Sequence, residues 1–154
     1  MRMNWIWLVL ILLLTGCSEQ SLPSDYEKLP FKIQVENSSE LPVIVLANEW
    51  NGAIYDRISY QDYFYQNQTV TFVEDGTRLV MDFGEYEPIS IEVTRDFNTF
   101  DVVGPYDQVE EATVIEKDTK SFTVEFEGHS VVYYNISVLY KEGYSIDYAV
   151  ALAL

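Results

Sequence analysis

The chain has 154 residues, a formal net charge of -16, and a composition that is 48% apolar and 15% aromatic. That length suits one domain rather than two, and that apolar share excludes a chain left disordered throughout for want of a core. Nine basic residues against 25 acidic ones provide no patch to neutralise phosphates, which excludes DNA and RNA as partners.

Met1 to Asn4 carry a single charge, Arg2, and Trp5 to Leu14 form an uninterrupted apolar run. As a helix that run is about 15 Å long, half of a hydrocarbon core of about 30 Å, so it fits the apolar stretch of a signal peptide rather than a permanent span. Leu14-Thr15-Gly16-Cys17 follows at once. An aliphatic residue, two small residues and a cysteine in this order resemble the lipobox of bacterial lipoproteins. The resemblance implies that residues 1–16 are removed and that Cys17 is acylated, which anchors the chain to the extracytoplasmic face of a bacterial cell membrane. Two acyl chains on one residue give stable attachment where one gives marginal binding. A plain secretory signal with an incidental cysteine is the alternative, and residue types, spacing and the apolar run together outweigh it.

Cleavage before Cys17 leaves eight basic residues against 25 acidic ones, a net charge of -17. Cys17 is the only cysteine, so no intrachain disulfide forms and the domain must be held by its core. Residues 17–30, polar and punctuated by Pro23 and Pro30, read as a lipidated tether. The thirteen residues after Cys17 reach at most about 45 Å when extended.

From Phe31 to the end, residues 31–154, the pattern is that of one β domain. Phe31, Ile33 and Val35 alternate with Lys32, Gln34 and Glu36, as in a half-buried strand. Val43 to Ala47 suits a buried strand after Pro42. Thr69 to Val73 and Arg78 to Phe83 flank Asp75-Gly76, which predicts a hairpin. Ile89, Ile91 and Val93 alternate with polar residues, and Thr99 to Val103 adds a short strand. Ala112 to Glu116 and Lys120 to Glu127 form a further pair. Val131 to Tyr140 and Tyr144 to Leu154 make a long hairpin, with Gly143 taking the left-handed conformation its loop needs. Between these elements, Ile54, Ile58, Gln61 and Tyr65 have helical spacing and Asn51 can cap a start, so one short helix near 53–65 is expected. About nine short strands with regular turns predict an all-β, single β-sandwich, immunoglobulin-like or related.

Catalysis lacks its residues. The only histidine, His129, sits at the Gly128-His129-Ser130 turn, and the only cysteine is expected to carry lipid. Nucleophile-base arrangements therefore have no candidate, and no enzyme is expected. Zinc has no His/Cys set, and the acidic turns Asp96-Asn98-Asp101 and Glu74-Asp75 lack calcium-loop spacing; they read as turn residues, so no metal and no cofactor is expected. Asn37, Asn67 and Asn135 head Asn-x-Ser/Thr triplets, read as strand and turn residues in a bacterial setting. The remaining candidate is aromatic. Trp50, Tyr55, Tyr60, Tyr63 and Tyr65, with Phe64, fall within sixteen residues and offer a wall for sugar rings or a peptide. Core packing of the same rings is the competing expectation.

Leu79 to Val93 (LVMDFGEYEPISIEV), followed by a hairpin ending Tyr148-Ala149-Val150-Ala151-Leu152, resembles the cores of small lipoproteins from Gram-positive Firmicutes. The shared shape is a strand, a Phe-Gly corner, an acidic Pro-containing turn and a second strand. The resemblance implies a single-membrane cell and assigns no functional residue. The functional expectation is a membrane-anchored extracytoplasmic lipoprotein whose domain is a non-enzymatic binding or interaction module for a protein or carbohydrate. The alternatives are a structural or assembly accessory of an envelope complex, and a carboxylate-dependent surface enzyme.

Overall fold

The computed structural model describes residues 21–36, 38–55, 70–96 and 113–154. These residues form an all-β sandwich, the expected class, with eleven strands among them. The smaller sheet contains β1 (Lys32–Val35), β2 (Glu40–Leu41), β6 (Arg78–Asp82) and β9 (Ser121–Thr123), in the order β2-β1-β6-β9. The larger sheet runs β4 (Ala53–Tyr55), β3 (Ile44–Trp50), β11 (Ser145–Ala153), β10 (Val131–Leu139), β7 (Ser90–Asp96) and β8 (Thr113–Lys117). All of these pairs are antiparallel; β5 (Thr71–Phe72) alone joins β11 in parallel.

One core lies between the sheets. Ile33, Leu79, Met81 and Phe122 enter it from the smaller sheet, and Val93, Val132, Tyr134, Ile136, Tyr148 and Val150 from the larger. The long C-terminal hairpin has the expected faces. Ile136 pairs with Tyr148 and Val138 with Ile146, all four buried, because period-two alternation puts every second side chain on the same face. Glu142 and Gly143 both take positive φ, 62° and 80°, and close the loop. On the other face of β11, Ala149 and Ala151 are buried with Ile44, Leu46 and Tyr133 in a second, smaller cluster. Leu154, the residue after β11, is exposed.

Three local expectations are corrected. Residues 53–55, taken as the start of a helix, are strand β4, paired with β3 through Asn48–Tyr55 and Trp50–Ala53. Asn51 and Gly52 have φ of 50° and 75°, a two-residue turn whose twist suits a hairpin, so Asn51 makes a turn rather than a helix cap. The rest of that proposed helix lies outside the described residues, as does the strand expected at 99–103. Asp75-Gly76 does not close a hairpin: β5 belongs to the larger sheet and β6 to the smaller. The chain crosses between sheets there, with Asp75 Oδ1 accepting from Phe126 N at 3.0 Å and Gly76 N donating to Val124 O at 2.8 Å. Likewise β8 and β9 do not pair with each other. β8 joins β7 and β9 joins β6, so the short link at 118–120 is a second crossing.

The two ends of the sandwich follow from the register. At one end lie the β3–β4 turn, the β10–β11 loop and the start of β7, since Glu49 pairs with Ser145 and Leu139 pairs with both Ser145 and Ser90. At the other end lie Arg95, the 124–130 segment and the end of β11.

Candidate functional site

The expected aromatic wall resolves into one buried ring and several residues whose placement is not described. Trp50 ends β3 on the core side and is 2% exposed. Its ring meets Tyr140 edge-on, with centroids 5.9 Å apart, and Tyr144 at a tilt, 4.5 Å apart. Its Nε1 donates to the carbonyl of Pro23 at 3.1 Å. The ring is a packing and anchoring element here and offers no face to a ligand. Tyr55 contributes backbone pairing to β4. Tyr60, Tyr63 and Tyr65 lie outside the described residues, together with Phe64, Asn37, Asn67, the Asp96-to-Asp101 loop beyond Asp96, and Cys17. Asn135 lies in β10, as its reading as a strand residue expects.

The partner of Trp50 places a segment that composition reads as tether. Residues 22–31 lie on the sandwich: Leu22, Tyr26, Leu29 and Phe31 pack against the main core. Asp25 caps a single 3-10 turn, Tyr26–Lys28, by accepting from Glu27 N. Phe31 stacks on Tyr148 with centroids 3.8 Å apart and tilts against Phe83 at 5.1 Å. Gly84, at a φ of +58°, lies so close to Pro30 that a Cβ would come within 2.5 Å of its ring. The spacing of Leu22, Tyr26 and Leu29 was the available signal: three apolar residues at intervals of four and three suit burial of one face. Polar neighbours and two prolines masked it.

Where this segment crosses β3 it leaves an open cleft of about 360 Å³, lined by Tyr26, Glu27, Leu29, Phe31, Val43, Val45 and Tyr148. Three aromatic rings, aliphatic walls and one carboxylate are a composition that accepts an amphipathic ligand. The hydroxyls of Tyr148, in its wall, and of Tyr140, which bonds Tyr148, are not acid-base groups at ordinary pH. Burial pushes Tyr148 strongly upward, reinforced by its hydrogen bond to Tyr140, and burial pushes Tyr140 up to about 12. Both stay neutral.

At the opposite end Arg95 continues the inward face of β7 after Ile91 and Val93, yet is only 6% exposed. Its Nη1 donates to Glu125 at 2.8 Å and its Nη2 to Glu127 at 2.6 Å. Burial works against its charge, and the bonds to Glu127 and Glu125 outweigh that, so its pKa is raised. The Tyr134 hydroxyl accepts from Glu125 N at 2.9 Å and donates to Glu125 O at 3.3 Å. Together these groups tie β7 and β10 of one sheet to the strand exit of the other. Among the described residues no three His, Cys, Asp or Glu side chains are placed to hold a metal ion.

Comparison with protein-family models, curated proteins and solved structures gives no match for this chain.

Proposed function

We propose that this chain is a lipid-anchored extracytoplasmic protein of a bacterial cell membrane, and that its β-sandwich is a non-enzymatic binding module for a protein or carbohydrate. The observation that carries the reading is Leu14-Thr15-Gly16-Cys17 directly after the apolar run Trp5 to Leu14. The cleft beside Phe31 supports a ligand-binding role by its shape and lining. A second reading, an assembly accessory in an envelope complex, draws support from Phe72 and Leu154. They are 76% and 59% exposed, and both lie near the place where β5 joins the end of β11. Exposed large apolar side chains at one end of the domain favour a protein partner.

Metabolic labelling with a fatty-acid probe, followed by membrane fractionation, tests the anchor. The parent chain should label and sediment with membranes, and Cys17→Ala should lose the label and be either released or left as an uncleaved precursor. A Cys17→Ala protein that still labels and stays membrane-bound would refute it. Photo-crosslinkers at Glu27 and at Phe72, used in intact cells, separate the two roles. A protein adduct confined to position 72 favours the accessory, and an adduct or ligand-protected site at position 27 favours the cleft.

A further inference from the structure

We infer that the domain stands on the membrane with the end formed by the β3–β4 turn, the β10–β11 loop and the start of β7 facing the lipid headgroups. This rests on the lipid anchor at Cys17 proposed above, and two independent observations carry it further.

The first is the length of the leash. Leu22 packs against the main core and Pro23 is held by Trp50, both at this end of the sandwich. Cys17 precedes Leu22 by five residues, which span at most about 18 Å fully extended. The nine residues of β10 separate the two ends by roughly 27 Å. The leash is shorter than the domain, so an inverted arrangement with the Arg95 end on the bilayer is out of reach.

The second is where apolar surface is left exposed. Ile89 and Leu139 are 61% and 37% exposed, and they adjoin, Ile89 N donating to Leu139 O at 2.7 Å. They lie at the leashed end, where contact with the headgroup boundary removes apolar area from water. Electrostatics does not supply this contact. The mature chain carries -17, and the same end presents Glu49 and Glu142 beside Lys141, so there is no basic patch to attract anionic lipid. The contact is made by the leash and the apolar pair. It leaves Phe72 and Leu154 on the side away from the bilayer.

The test uses the acylated full-length protein in phosphatidylcholine/phosphatidylglycerol vesicles that contain a headgroup spin-labelled lipid. Cys17 carries lipid, so a second cysteine takes a fluorophore selectively. Labels at Ala53→Cys and Lys141→Cys should be quenched several-fold more than labels at Glu74→Cys and Ser130→Cys. Adding Ile89→Ser and Leu139→Ser should reduce quenching at 53 and 141 without releasing protein from vesicles. Equal quenching at both ends, or stronger quenching at 74 and 130, overturns the orientation while leaving the anchor intact. Mass spectrometry of the Cys17 peptide reads the anchor separately. An unmodified Cys17 overturns the anchor and the orientation with it.

Discussion

The two ends of the sandwich are closed by different chemistry. At one end the Trp50 ring packs against Tyr140 and Tyr144 and holds Pro23 through one neutral hydrogen bond, with Leu22 packed against the same core. At the other end a guanidinium, Arg95, ties to two carboxylates that are themselves more than half exposed. Both ends continue the same inward face of the same sheet. What differs is the access of water. Where a segment of chain covers the edge, aromatic residues suffice. Where the edge opens towards solvent, an inward position is filled by a side chain whose stem is apolar and whose head finds partners at the rim.

The sharpest way to break the comparison is at the apolar end. Trp50→Ala removes a fully buried indole and the donor to Pro23, and should cost about 3–5 kcal/mol. It should also release residues 22–31, seen as new protease cleavage at Lys28. Trp50→Phe keeps most of the packing and loses the hydrogen bond, a loss of roughly 0.5–1.5 kcal/mol. Denaturant midpoints of the two variants, compared with the parent, measure the difference. Equal losses would show that the hydrogen bond rather than the packing seals this end.

Alkali attacks the same end. An unfolded tyrosine ionises near pH 10, whereas burial holds Tyr140 up to about 12 and Tyr148 higher still. The folded state therefore keeps protons that the unfolded state has already released. Stability from this source is complete below about pH 10 and is lost as pH rises through the folded pKa. For Tyr140 alone the loss amounts to roughly 2–3 kcal/mol. Stability measured from neutral pH upward should fall steeply above pH ~10, and Tyr140→Phe should flatten that fall. The part of the tyrosinate absorbance lost in Tyr140→Phe should be the part that rises together with unfolding. An unfolding curve with no slope above pH ~10 would contradict the burial of these hydroxyls.

The ionic end should respond less. Arg95→Ala leaves a cavity and strands Glu125 and Glu127, but those carboxylates retain water, so the cost is about 1–3 kcal/mol, below that of a fully buried pair. Arg95→Met keeps the stem and removes the charge, and should fall within about 1 kcal/mol of the parent. A Met variant as damaged as the Ala variant would show that the charge, not the stem, closes this end.

How much of this was legible beforehand depends on the range of the signal. The C-terminal hairpin was readable in full, from Val132 to Leu152, because alternation and a glycine-containing loop are local features and its two strands stay paired. The turn at Asp75-Gly76 was readable as a turn but not as a crossing between sheets. A reversal of direction is encoded locally, whereas the sheet a strand joins depends on partners up to the chain's length away. Asn51-Gly52 carried the strongest hairpin signal of all and lost to helical spacing of residues beyond it. Of the candidate site, core packing of Trp50 was legible as one of two readings of the aromatic cluster, whereas its partner Pro23 was not, because it lay in a segment read as a tether.

The finest comparison is between glycines at the two ends. Gly52 and Gly128 take φ of +75° and +88° with open space where a Cβ would stand; Gly84 takes +58° with the Pro30 ring 2.5 Å from that point. Alanine at Gly52 or Gly128 meets only the left-handed backbone penalty, about 1–2 kcal/mol. Alanine at Gly84 meets the same penalty and must also push Pro30 away. Pro30 sits between Leu29 and Phe31, both packed on the core, so its displacement strains the covering segment rather than a free loop. Gly84→Ala should therefore have the lowest denaturant midpoint of the three, and it alone should increase cleavage at Lys28. If the three midpoints coincide and cleavage does not change, Pro30 yields without cost, and residues 22–31 are held at Trp50 and Phe31 but not along their length.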